Sequence, residues 1–396
     1  MTSDLDRARA RAEASDPASA PGVRAEVWLE LAELEPAFKH RGAEAARALD
    51  RATALLATES DPARELRAAL RGAQLALIAD DAARARELAE LALVCARRAD
   101  DVAAGLAADA LLLRARLLAG ELDACREQLQ ALARELLQQV TPAPPLQQVS
   151  ASRAELQLAL AAAELHLVDG DFAAAAERYQ SALDALPRRG RDALVDEEFQ
   201  ALQGVALTAQ LGRRPGRAAE HLRRLLELTV RYQAARDELD ARLALGNTLV
   251  SLGKLPEARR QLDRARALAG TAGGVDERLL AASSAALAAL HARDFAVALD
   301  RAYEALRHAG RGKRDVTAYV AAISLIASIH VARENFAEAY LALANGAAAL
   351  RHVVGPVAAA LLEVEVDALR EQLGHDRFEQ MCADILAQRQ AGQRRS

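Results

Sequence analysis

The sequence predicts an all-α protein, a solenoid of antiparallel helix hairpins, and three observations carry that expectation. Ala and Leu, both strong helix formers, supply 98 and 64 of the 396 residues, while aromatics make up only 3%. A β-sandwich or doubly wound sheet needs far more Val, Ile, Thr and aromatic residues. A short phrase then recurs, as Asp171-Phe172-Ala173-Ala174-Ala175, Asp294-Phe295-Ala296-Val297-Ala298 and Asn335-Phe336-Ala337-Glu338-Ala339. Related forms are Glu121-Leu122-Asp123-Ala124-Cys125 and Lys254-Leu255-Pro256-Glu257-Ala258, and fainter echoes centre on Ala45, Ala85, Ala218 and Cys382. Finally, apolar residues recur at helical spacing on both sides of the phrase.

The elements follow in order from that phrase. Its apolar residue stands at 255, 295 and 336, spacings of 40 and 41, and 172 lies two such periods before 255. About eight repeats of roughly 40 residues result, with a ninth, degenerate pair capping the C-terminus. In each, a first amphipathic helix such as Leu156–Asp169 ends at a break like Gly170-Asp171, and a second runs on from Phe172 until Pro187. Small residues in first helices (Ala163, Gly246, Ala286, Ala327) are expected to meet small residues in second helices (Ala175, Ala258, Ala298, Ala339). That lets the axes approach at the short end of the usual 8–10 Å. Residues 1–22 are expected as a tail or short helix, and 23–140 as a lobe of three hairpins. Residues 141–150 contain Thr141-Pro142-Ala143-Pro144-Pro145, which reads as a joint because Pro lacks a donor and disfavours helix before it. A lobe of six hairpins then spans 151–390, before a disordered tail at 391–396.

Gly170-Asp171-Phe172-x2-Ala175-x3-Tyr179-x2-Ala182-x4-Pro187 resembles the second half of the tetratricopeptide repeat consensus. Leu245-Gly246-x6-Gly253-x4-Ala258-x6-Ala265 follows both halves of it, and Trp28-x2-Leu31-Ala32 is similar to its opening. The resemblance covers roughly residues 24 to 390. It departs from the family's usual 34-residue period, with extra residues at 187–192 and 270–276. The long period resembles the repeat arms of bacterial signalling ATPases and transcription activators. The resemblance implies a right-handed superhelix working as a protein-binding scaffold or adaptor, with no catalysis and no cofactor. Two rivals stand beside it: a regulatory sensor arm that changes curvature on binding a small ligand or peptide, and a hidden hydrolase or transferase.

Charge and motifs narrow the function classes. Basic residues number 51 against 56 acidic, a net charge of −5 that disfavours nucleic acid as a partner. Cys95, Cys125 and Cys382 are isolated, with no metal or redox spacing. Met1-Thr2-Ser3-Asp4-Leu5-Asp6 lacks the features of a secretory signal, so cytoplasmic residence is expected. Val316–Ala332 carries no Lys, Arg, Asp or Glu over 17 residues, at the lower limit of a membrane span, and reads instead as a helix buried on most sides. Gly310-Arg311-Gly312-Lys313-Arg314 misses both the first Gly and the Ser or Thr of a phosphate loop. Asp169-Gly170-Asp171 lacks the later ligands of a calcium loop. His166 and His330 hold equivalent places inside first helices and are expected to be buried and hydrogen-bonded. Arg188, Arg189 and Arg191 in one loop, and Arg307, Arg311, Lys313 and Arg314 in another, are expected on a solvated rim.

The expected partner site is the inner face of residues 240–332, built from first helices. Helical phase places there Leu243, Asn247, Val250 and Ser251, then Ser283, Leu287, Leu290 and His291, then Ser324, Ser328 and Val331. This floor is apolar and nearly uncharged, which suits a protein or peptide segment with an apolar face, and no acidic tail, membrane or nucleic acid.

Overall fold

Helix boundaries follow local chemistry throughout the computed structural model, which describes residues 4–15, 19–39, 42–58, 61–139, 145–186, 194–311 and 315–393. Every regular element among these residues is a helix, and there are 19. The chain divides into two compact units, Met1–Asp237 and Glu238–Ser396. In the first, α1 (Asp4–Glu13) precedes five hairpins. They are α2 (Pro21–Leu34) with α3 (Ala43–Leu56), α4 (Pro62–Ile78) with α5 (Ala82–Ala99), and α6 (Val102–Leu118) with α7 (Leu122–Gln139). Then come α8 (Pro145–Val168) with α9 (Phe172–Asp184), and α10 (Val195–Leu211) with α11 (Pro215–Arg231). The unit boundary falls in the first turn of α12 (Ala235–Ser251), which pairs with α13 (Leu255–Thr271). The second unit continues with α14 (Val275–His291) and α15 (Phe295–Arg311), and with α16 (Val316–Ala332) and α17 (Phe336–Val353). It ends with α18 (Pro356–Leu373) and α19 (His375–Gln393).

Each unit is an α-solenoid. In the first, α2 packs on α4, α4 on α6, α6 on α8 and α8 on α10. In the second, α14 packs on α16 and α16 on α18. Second helices bridge their partner and the next first helix, as α5 does between α4 and α6 in the first unit and α15 between α14 and α16 in the second.

The turns keep the period. A residue with positive φ closes eight hairpin turns, at Asp80, Gly120, Gly170, Arg213, Gly253, Arg293, Glu334 and Gly374, so the spacings are 40, 50, 43, 40, 40, 41 and 40. At Gly170 the pattern is explicit. The Gly170 N–H donates to the Leu167 carbonyl (3.1 Å) and that of Asp171 to the His166 carbonyl (2.9 Å), tying off the end of α8. Arg293 and Glu334 adopt the same φ with side chains for which it costs about 1–2 kcal/mol. Asp81, Asp101, Asp171 and Asp315 then cap the following helix by accepting a backbone N–H.

Two of the expected small-residue pairs lie together in buried clusters, and Gly246 meets Leu262 instead of Ala258. Ala286 and Ala298 share one buried cluster, Ala327 and Ala339 another. A Cβ at Gly246 would stand 2.5 Å from Leu262, so α12 and α13 cross with no room for a side chain. Phe295 and Phe336, just after their turns, pack against these clusters as plugs.

Three boundaries differ from expectation. The expected joint at 141–150 lies in part outside the described residues (141–144), and Pro145 opens α8, where its missing N–H costs nothing. Both expected lobes also differ from the units, since α6 and α8 pack directly and the division comes at Asp237/Glu238. At the N-terminus, residues 4–13 are helical and Ala8 and Ala12 are buried in the first core. At the C-terminus α19 continues to Gln393, and 394–396 lie outside the described residues.

Candidate functional site

In the second unit the first helices present one face in common register. Asn247, Leu287, Ser328 and Ala368 each stand six residues before a positive-φ turn, and all four are exposed. Ser251 and His291 follow one turn later and are exposed too. Leu287 is a large apolar side chain at 43% exposure. Around it the structure adds Leu280 (52% exposed), Leu361 (52%) and Val364 (68%), which the sequence reading omits. Leu280 and Leu361 hold matching places, each thirteen residues before its turn. The repeat register therefore carried a signal for Leu361, but α18 lacks the recurrent phrase that would have revealed it.

Other expected floor residues are engaged elsewhere. Leu243 is a correction: it is 4% exposed and lies in the core with Leu262, Ala281, Ala285 and Ala288, because the small residues of α14 let that helix close over it. Val250, Leu290 and Val331 are half-buried and pack against three separate cores. Ser283 is half-buried. The Ser251 and Ser328 hydroxyls donate to carbonyls one turn back, at 3.3 and 2.8 Å. Ser324 does the same (2.9 Å to Val320) and also donates to Glu365 of α18. The open face thus consists of Asn247, Leu287 and His291 with Leu280, Leu361 and Val364.

In the first unit the corresponding face is filled in part, while Leu207, six residues before the Arg213 turn, stays 43% exposed. Residues 35–38, just after α2, fold onto α4 and α10. The Ala37 N–H donates to Asp196 (2.7 Å), and the Arg71 guanidinium donates to Asp196 (2.5 Å) and to the carbonyls of Ala32 (2.8 Å) and Glu35 (2.7 Å). Phe38, fully buried, stacks on Phe199 at 4.4 Å and meets Tyr232 edge-on at 5.9 Å. Beside it Gln74 and Gln157 donate to Glu197 (2.7 and 3.1 Å), and Arg114 pairs with Glu164 (2.6 Å). These buried charges are hydrogen-bonded as burial requires.

The remaining motifs carry no site. Among the described residues no group of three His, Cys, Asp or Glu side chains is placed to hold a metal ion. No helix among them is long and apolar enough to cross a membrane. The uncharged α16 buries Ile323, Leu325, Ile326 and Ile329 and exposes only Thr317, Ala321, Ser328 and Ala332. Arg188, Arg189, Arg191, Lys313 and Arg314 of the expected rim lie outside the described residues.

His330 is buried, as expected, but its Nδ1 has no partner among the described residues; His166 is half-buried. Burial holds the His330 imidazole below its ordinary pKa. The unfolded chain takes up a proton near pH 6.5 that the folded chain resists, so stability falls as pH drops below about 6.5. His330→Leu, the residue α12 carries at the equivalent Leu249, should flatten that acid slope in thermal melts of the second unit between pH 7.5 and 5. An unchanged slope would mean that His330 is protonated without penalty.

No family model matches the sequence, and no curated protein does either. Solved structures do match. RapI in its apo form covers 81% of this chain and 84% of its own, with a TM-score of 0.62 at 10% identity. A signal-transduction ATPase with a tetratricopeptide repeat sensor, PH0952 from Pyrococcus horikoshii, covers 86% of this chain with a TM-score of 0.50 at 12% identity. This chain spans about half of that protein's length, 52%. The fold is tetratricopeptide-repeat-like. Its long period has a simple source: every helix from α10 to α16 is 17 residues long, and two of them with their turns fill about 40 residues. In a tetratricopeptide-repeat-like array, hairpins contact mainly their neighbours and leave an extended face free. Here that face is open in the second unit and filled in part in the first, where Leu207 remains exposed.

Proposed function

We propose that this protein is a binding scaffold or adaptor, working in the cytoplasm without catalysis of its own. Its second unit receives an apolar peptide or amphipathic helix across the first-helix face. The observation that carries this reading is the exposure of Leu280 and Leu287 on α14 and of Leu361 and Val364 on α18, with Leu280 and Leu361 at matching places. Large apolar side chains left in water on neighbouring repeats mark an interaction site. A helix laid in a groove anchors through residues at i, i+3 and i+7, which suits repeated apolar positions, while Asn247 and His291 supply direction at one end.

Leu287→Arg and Asn247→Arg test the reading. Both positions are exposed, so thermal stability should stay within about 0.5 kcal/mol of the parent. A guanidinium on an apolar anchor should weaken the partner at least about tenfold, or about 1.4 kcal/mol. The measurement is quantitative capture from native extract by the parent and both folded variants. Equal capture by all three would move the site off this face. A sensor arm that takes up a small ligand is the second reading, and a cavity between α13, α14 and α15 favours it.

A further inference from the structure

Between α13, α14 and α15 lies a cavity of about 370 Å3, separate from the open face. Its floor is Ala285, Ala288, Ala289 and Ala292 of α14, with Leu262 of α13 and Val297 of α15. The space has a cause in the sequence. At the same distances from their own turns, α12 carries Leu245, Thr248, Leu249 and Leu252, and α16 carries Ile326, Ile329, His330 and Arg333. Each flanking hairpin fills this place with bulk, and α14 puts alanine at all four positions. The alanine floor is an apolar surface that an apolar group can cover, while charged side chains line the rim. The cavity volume is at the small end for ligand sites, which are mostly apolar with a few placed polar groups.

The placed groups here are cationic. Arg259, Arg260 and Arg301 line the cavity, against one lining carboxylate, Asp263. Arg259 is occupied, donating to Asp294 at 3.3 Å. The Arg260 side chain is exposed and makes no ion pair among the described residues. Arg301 pairs through Nη1 with Asp300 (2.8 Å) and Glu304 (3.4 Å), yet its Nε is buried with no acceptor among the described residues. An unmet buried donor beside an unpaired guanidinium, over an apolar floor, is complementary to one chemistry. An acceptor with negative charge meets the two arginines, and a hydrocarbon tail meets the alanines.

We propose that this cavity binds a small amphipathic carboxylate. The tail lies on the alanine floor of α14, and the carboxylate accepts from Arg260 and from Arg301 Nε. The site is independent of the open face, so either can fail without the other.

Calorimetric titration of the full chain with decanoate, 1-decanol and decylammonium, each below its micelle concentration, tests the proposal. Decanoate should bind one per chain, at least about tenfold tighter than decylammonium. Ala289→Leu with Ala292→Leu, which restores the residues of α12, should abolish binding. Should that pair disturb folding, Arg260→Gln with Arg301→Gln remains diagnostic, because it should erase the preference for decanoate over decanol. Leu287→Arg should leave decanoate binding unchanged, since that residue is on the open face. No decanoate binding, equal binding of all three amphiphiles, full binding by the Ala289→Leu, Ala292→Leu chain, or an unchanged decanoate preference in the Arg260→Gln, Arg301→Gln chain would each overturn the assignment.

Discussion

Asp196→Ala should destabilise the first unit by about 3–5 kcal/mol, the usual consequence of leaving a buried charge without its partner. Arg71 and Asp196 are both about 5% exposed and in contact at 2.5 Å. Removing the carboxylate leaves the Arg71 cation facing two backbone carbonyls, at Ala32 and Glu35, with nothing to balance its charge. It also strips the Ala37 N–H of its acceptor, a further penalty for a buried donor. The segment 35–38 should loosen with it, since Phe38 is held on Phe199 from the same side. The protein contains one tryptophan, Trp28 in α2, so urea unfolding followed by its fluorescence reports on this unit. Glu87→Ala removes an exposed partner of Arg84 in the same unit and should change stability by less than about 1 kcal/mol. A loss below about 1 kcal/mol for Asp196→Ala would mean that the pair does not hold the segment in place.

Gly204→Ala should cost the same unit about 1–3 kcal/mol, although alanine is the better helix former by about 1 kcal/mol. The added Cβ would stand 2.3 Å from the ring of Tyr179, which is 5% exposed and packed where α9 meets α10. An aromatic ring cannot bend away as a flexible chain end can, so the helices must separate. Tyr179→Leu in the Gly204→Ala chain should recover part of the loss by giving the methyl group room, the non-additivity expected of touching residues. If Gly204→Ala proves neutral or stabilising in the same urea assay, the close crossing of α9 and α10 is not a constraint on the fold.

Much of the architecture is legible without coordinates because it rests on interactions close in sequence. The phrase at 172, 295 and 336 marks turns whose hydrogen bonds span five residues or fewer, as between His166 and Asp171. The small residue at 246 announces a close crossing because no side chain fits it, and Ala286 and Ala327 lie buried in the hairpin cores. The candidate face is less legible. Helical phase gives Leu243 and Leu287 similar directions, yet one is in the core and the other in water. What separates them is the neighbour: Leu243 meets the alanines of α14, which close over it, a fact that phase within α12 does not contain.

The sequence by itself determined the all-α class, the hairpin and its roughly 40-residue period, and the small-residue crossings. All of these follow from helix propensity, turn chemistry and the size of side chains a few turns apart. Tertiary structure decided which faces stay open. Ala37 meets Asp196 across 159 positions of chain and Arg71 meets it across 125, and no periodic signal encodes such a contact. It decided as well that four alanines on α14 leave a cavity rather than a tighter crossing, because the gap depends on how α13 and α15 are held by their other neighbours. Local rules set where the chain turns, and long-range packing sets what those turns leave exposed.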